Sequence, residues 1–127
     1  MSDLRFTLRF QGSKGNYQYA PVTRSQQYAQ TAAGNRAGIQ NIGTPPETLD
    51  STGLTTPKYL YLENLDETNY VKIGVLDGAA YRNMGRLQAG SATEPGDMLL
   101  IPVAPSVTVQ LKANTAACNV YYQWLEA

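Results

Sequence analysis

The chain contains no histidine, and only one of its 127 residues is cysteine. The first absence removes every Ser-His and Cys-His nucleophile pair, and with them the common hydrolase mechanisms. Together the two remove the usual zinc and copper sites, because one thiolate cannot close a coordination shell. Cys118 cannot form an internal disulfide, so no oxidising compartment is implied. Its place between Ala117 and Asn119, near the last expected strand, reads as a small buried hydrophobe. Charge is scarce as well: charged residues make up 16% of the chain, against about a quarter in an ordinary soluble domain. Ten basic residues balance ten acidic ones. Net neutrality argues against the basic face that nucleic acid requires and against electrostatic binding to an anionic membrane. No apolar run approaches the roughly 20 residues of a membrane span. The opening MSDLRF lacks the basic and apolar regions of a secretory signal, so synthesis in a cytoplasm is expected.

Short strands separated by turns account for what is present. Leu4, Phe6, Leu8 and Phe10 alternate with Arg5, Thr7 and Arg9, the pattern of an antiparallel strand with one core face and one wet face. A turn at 11–16 leads to a Gln-rich stretch, Tyr17 to Thr31, expected to be one bent strand or two short ones, with Pro21 at an edge or bulge. A turn at 31–35 precedes a strand over 36–42 with Ile39 as its apolar anchor. The connection 43–56 carries two prolines, which bar it from a sheet interior, and its Leu49 and Leu54 are expected to plug the core.

Residues 57–75 (PKYLYLENLDETNYVKIGV) read as a hairpin: a strand with Leu60 and Leu62 on one face and Tyr59 and Tyr61 on the other, an Asn- and Asp-rich turn, and a strand carrying Val71, Ile73 and Val75. Two low-contrast strands, 80–83 and 85–88, are expected next. Residues 97–102 (DMLLIP) are apolar throughout, which means burial on both faces or a second face covered by a partner. Val107, Val109 and Leu111 alternate with polar residues, and Val120, Tyr122 and Trp124 share a face of the closing strand. Eight or nine strands at this spacing, without a sustained helical period, define an all-β chain. A single-domain antiparallel β-sandwich over residues 1–127, jelly-roll-like, is expected.

Candidate chemistry is sparse. A carboxylate pair needs no histidine, but Glu63, Asp66 and Glu67 fall in a turn, where carboxylates ordinarily cap the local backbone. A calcium set of Glu63, Asp66 and Asn69 lacks the dense alternation of oxygen ligands in hard-cation loops. No catalytic residue, metal or cofactor is assigned. Nine tyrosines and one tryptophan offer flat apolar faces with polar tips, suited to the core, to protein interfaces or to sugar stacking. Tyr59 with Tyr61, and Tyr122 with Trp124, are the candidate patches, joined by Leu4 and Arg5 of an N-terminal arm.

Four segments carry a resemblance: QNIGTPPETLDSTGLTTP (40–57), YLYLENLDETNYVKIGV (59–75), DMLLIPVAP (97–105) and LKANTAACNVYYQWLE (111–126). In order and spacing they are similar to a family of small structural proteins from tailed-phage virion modules, over roughly the C-terminal two thirds. Residues 81–89 depart from that pattern. The resemblance implies a non-enzymatic virion component with a β-sandwich fold. The expected role is a capsid-decorating or cement protein that binds the major capsid protein or other virion proteins, as a homo-oligomer, through edge strands and Tyr-rich faces. A tail, neck or head-fibre component, possibly one that binds glycans, is the alternative.

Overall fold

Residues 118–126 alternate without a break: Cys118, Val120, Tyr122, Trp124 and Glu126 are buried, and the residues between them are not. This period of two is the pleat of a strand lying against a core on one side only. The strand is the last of ten in the structure, a computed structural model that describes residues 3–29 and 34–126. In order they are β1 (Asp3–Lys14), β2 (Tyr17–Ala29), β3 (Asn35–Ile42), β4 (Glu47–Thr48), β5 (Pro57–Asn64), β6 (Val71–Asp77), β7 (Ala80–Leu87), β8 (Met98–Pro102), β9 (Val109–Ala113) and β10 (Cys118–Glu126). There is no helix among the described residues.

Eight strands form two antiparallel four-stranded sheets, β3-β10-β5-β8 and β4-β9-β6-β7. Their inner faces meet in one core: Ile42, Leu60, Leu62, Val120, Tyr122 and Trp124 from the first, and Val71, Ile73, Leu87, Val109, Leu111 and Ala113 from the second. Leu49 joins this core and Leu54 packs against it, the plugs expected of the 43–56 connection. Cys118 is buried in the core. Burial raises its thiol to about 11, with a smaller contribution from the Asp66 charge.

The pairing is nested: β6 with β7, β5 with β8, β4 with β9 and β3 with β10. One expectation is corrected by it. β5 and β6 belong to different sheets, so residues 57–75 are an arch between sheets rather than a hairpin. Asn64 makes the crossing and is completely buried. Its Nδ2 donates to the carbonyls of Asn69 (3.0 Å) and Leu87 (3.1 Å), and its Oδ1 accepts the Asp66 N–H (2.9 Å). Asp66 Oδ1 in turn accepts the N–H groups of Thr68 and Asn69, both at 2.9 Å, and these bonds lower its pKa. Gly96 closes over this node; a Cβ there would strike the Asn64 carbonyl oxygen.

Polar side chains of β3 clamp β4 and the residues that follow it. Gln40 bonds the Thr48 carbonyl (3.1 Å) and accepts from the Asp50 N–H (3.0 Å). Arg36 pairs with Asp50, its Nε lying 3.0 Å from Oδ2. Thr52, through both its hydroxyl and its N–H, and Arg36 hold the Asp50 pKa down at about 2.

Other expectations change in detail. The strand of Leu4 to Phe10 belongs to neither sheet of the sandwich. It pairs only with β2, as a separate two-stranded arm, and Leu8 is 62% exposed. β2 is one strand, and its Ala20 and Pro21 stand opposite the single residue Gln11. That is a bulge at the proline, where a missing N–H does least harm. The arm turns at Gly15 and Asn16, between the pair Lys14 and Tyr17, and Gly15 has φ +59°, which a two-residue hairpin loop asks of glycine. The expected strands at 80–83 and 85–88 are one strand, β7, with Met84 bulged out. The turn expected at 31–35 lies, over 31–33, outside the described residues.

Two predictions follow from these nodes. Asn64→Ala removes the amide partner of the buried Leu87 carbonyl, of the half-buried Asn69 carbonyl and of the Asp66 N–H; it should lower unfolding stability by about 2 kcal/mol, read as a shifted urea midpoint with an unchanged slope. Asp50 is ionised in the folded state at pH values where the unfolded chain, near 3.8, is protonated. Its contribution is therefore fully present above pH 4 and lost as pH falls from about 4 to 2. Asp50→Asn should flatten the pH dependence of thermal unfolding in that window.

Candidate functional site

If the even residues of β10 face the core, its odd residues face outward, and strand register extends that statement across the sheet. Tyr121 lies opposite Ile39 on one side and Glu63 on the other, and Glu63 lies opposite Met98. The next row is Ala37, Gln123, Tyr61, Leu100, and the third is Asn35, Leu125, Tyr59, Pro102. Of these twelve positions only Glu63 is charged. Ile39 is 63% exposed, Met98 56% and Leu100 40%. Large apolar side chains in contiguous rows of an outward sheet face distinguish a binding surface from scattered exposed residues.

Aromatic contacts organise its centre. The Tyr61 and Tyr121 rings meet edge to face, centroids 6.0 Å apart at 65°. Tyr61 Oη donates to Glu63 Oε2 (3.2 Å) and lies 3.8 Å from Met98 Sδ. Partial burial, reinforced by the Glu63 charge, raises the Tyr61 pKa, so the phenol stays a donor at neutral pH. Tyr121 Oη donates to Gln123 Oε1 (3.4 Å). The result is an apolar platform with a few polar tips.

The β1–β2 arm meets this platform at one end. Phe6 packs edge to face on Tyr59, centroids 4.8 Å apart, and so buries Tyr59 although that residue points outward. Beyond the contact, Phe6, Leu8, Arg24 and Gln26 of the arm face Tyr59, Leu100 and Pro102 across a cleft of about 320 Å³. Arg5 lies on the opposite side of the arm, where its guanidinium donates to Gln27 Oε1 (2.9 Å) beside the Thr7–Ser25 pair.

The candidate residues thus separate. Tyr61 sits on the platform, Tyr59 lies under the arm and Arg5 is on the arm's polar side. The side chain of Leu4 lies outside what is described. Tyr122 and Trp124 are corrected: they are 5% and 3% exposed and belong to the core, so they cannot form a contact patch. Glu63 and Asp66 do not act together, one bonding Tyr61 on the platform and the other the turn backbone. Among the described residues no three His, Cys, Asp or Glu side chains gather where they could hold a metal ion.

Ile39 is the residue most misjudged from sequence. The anchor of β3 is Ile42, which is fully buried. Tyr122 stands opposite Gly38, and a Cβ at Gly38 would lie 3.3 Å from its hydroxyl. The tyrosine therefore occupies the inner space at Gly38, and Ile39 is turned outward.

A second concavity, about 710 Å³, lies at one end of the sandwich between residues 55–58 and 102–107. Its lining is mostly Pro, Val, Ala and Thr, with Lys58 as the one charged side chain, and no acid–base pair faces it. Compared with protein-family models and with curated proteins, the chain matches none.

Alanine at the two isoleucines separates surface from core. Ile39→Ala should change stability by no more than about 0.5 kcal/mol, whereas Ile42→Ala should cost about 2–5 kcal/mol, both measured by denaturant unfolding.

Proposed function

We propose that this chain is a non-enzymatic structural protein of a phage virion, a capsid-decorating or cement protein that binds the assembled shell. The observation that carries the reading is the platform of Ile39, Tyr61, Met98, Leu100 and Tyr121, which leaves in water a face of the composition that protein interfaces favour. The nested pairing of eight strands in two sheets supports it. We read that winding as a jelly roll, an architecture that recurs in viral capsid and lectin domains. The resemblance of the 40–57, 59–75, 97–105 and 111–126 segments to virion proteins points the same way. Fold alone does not assign a role; the uncovered face gives the fold something to do.

Such a protein works by linkage. It binds the assembled lattice and not free subunits, so each bound copy stabilises the lattice by mass action, about 2.7 kcal/mol per site at a hundredfold excess over Kd. Its partners in this reading are the major capsid protein and further copies of itself, and its location is the virion.

A second reading, a glycan-binding module of a head fibre or tail, is favoured by one feature. The Tyr61–Tyr121 pair has Glu63 and Gln123 bonded to its hydroxyls, and an aromatic face beside polar groups suits a sugar ring.

Cosedimentation of the purified chain with empty shells of the major capsid protein, and with the unassembled subunits, tests the lead. Binding to shells alone, with a raised shell melting temperature, is expected. Immunogold labelling confined to the tail would overturn it. A glycan-array signal abolished by Tyr61→Ala, without shell binding, would establish the second reading in its place.

A further inference from the structure

We propose that the platform is covered by the β1–β2 arm of a second copy of this chain, whose Leu8 and Val22 settle on Ile39, Tyr121 and Met98 while its Arg24 meets Glu63. The inference rests on reading the platform as a protein-contact face and names the protein that fills it.

Two apolar surfaces of one chain meet at Phe6 and Tyr59 and stand apart across the cleft beyond them. The arm is amphipathic: Arg5, Thr7 and Arg9 pair with Gln27, Ser25 and Thr23 on one side, and Phe6 and Leu8 with Gln26 and Arg24 on the other, which Val22 continues. Phe6 rests on an aromatic ring of its own body, whereas Leu8 and Val22 are 62% and 41% exposed. An isolated two-stranded hairpin is marginal in water and needs an apolar surface to rest on. The chain's own platform supplies that surface at Tyr59, and the cleft beyond it shows that the arm does not close down on Leu100 and Pro102. The contact that Phe6 makes with Tyr59 is the chemistry that a neighbour's arm would repeat on Tyr61, Tyr121 and Ile39.

Charge complementarity selects the same occupant. The arm, residues 3–29, carries Arg5, Arg9, Lys14 and Arg24 against Asp3, a net of +3; the rest of the chain carries six basic and nine acidic residues, a net of −3. The overall neutrality conceals a basic arm and an acidic body, an arrangement that attracts arm to body between copies. Arg24 lies on the arm's apolar side, and Glu63 is the single charge of the platform, so the pairing has a local counterpart.

The area suffices too. Four strands at about 4.8 Å spacing, over the five residues of β8 at roughly 17 Å, make a plane on the order of 300 Å². With the arm's own apolar side added, two strands of roughly 40 Å, each copy offers on the order of 700 Å², close to the roughly 800 Å² that one partner of a standard interface buries. Reciprocal exchange closes a dimer, and sequential exchange closes a ring.

Sedimentation velocity over a range of concentrations, together with engineered cysteines, tests this. The wild-type chain should sediment as a multiple of 13.9 kDa, and Leu8→Glu and Ile39→Glu, both at exposed positions, should each raise the dissociation constant at least tenfold while thermal unfolding of the monomer stays unchanged. Molar salt should weaken assembly. Leu8→Cys and Ile39→Cys chains of different tag length, mixed and oxidised, should form the mixed disulfide, with buried Cys118 a silent bystander. A wild-type monomer at 100 µM, an oligomer indifferent to both glutamates, or a Leu8→Cys/Ile39→Cys chain that closes only on itself would overturn the proposal. A monomer that still coats shells overturns arm exchange and keeps the virion reading; an arm-linked oligomer that ignores shells does the reverse.

Discussion

The parity of β10 is the constraint from which the rest of the molecule follows. This strand pairs with both β3 and β5, so its register fixes which residues of three strands point inward. A slip of one residue would exchange Val120, Tyr122 and Trp124 for Tyr121, Gln123 and Leu125 and reverse the faces of the whole sheet. Glu126 pins the strand at its end. Its buried Oε1 accepts the N–H of Thr55 (2.6 Å) and of Thr56 (3.3 Å), and its own N–H donates to the Gly34 carbonyl (2.9 Å). A buried carboxylate committed to backbone donors tolerates no slippage, because displacement would leave a charge without its partners.

From that register the platform is a by-product of composition. The outward positions of a sheet with one wet face ordinarily carry charge. Here they carry Ile39, Tyr61, Met98, Leu100 and Tyr121, with Glu63 alone to interrupt them. The apolar run 97–102 expresses the same fact on β8, where Leu99 and Ile101 pack against the core and Met98 and Leu100 stand outside it. Of the two explanations open for that run, burial on both faces within the chain is excluded.

The all-β class, the antiparallel sandwich and most strand positions were legible because period-two alternation and turn residues are local signals. Leu62, Val109 and Leu111 fell where alternation placed them, and Cys118 and Leu49 are buried as their settings suggested. What escaped was pairing at a distance. The sequence from Tyr59 to Val75 carries two strands and a turn whether they form a hairpin or an arch, and the buried Asn64 bonds that decide for the arch reach Leu87, far along the chain. Leu4 to Phe10 has the cleanest alternation of all, yet it belongs to the arm, because alternation reports an apolar face and not what covers it. Tyr122 looks the same in sequence as Tyr121; the Gly38 partner, with room for a ring, tells it apart, and Trp124 shares its face by parity.

Edges and faces together decide how such a molecule can assemble. An open sandwich has four edge strands, each a template for unwanted pairing. β4 has two residues, β8 is a five-residue strand ending at Pro102, and β7 carries Arg82, Arg86 and the Met84 bulge. These are the devices that blunt an edge, and they leave only β3 as a long edge, with Ile39 of the platform on it. Edge-to-edge extension is therefore disfavoured on three of the four sides, while the broad face beside β3 is apolar and nearly uncharged. The proposed association would use that face, where side-chain packing rather than an open-ended ladder of backbone hydrogen bonds would set the geometry. Contacts of that kind can close on themselves, which the proposed virion role requires.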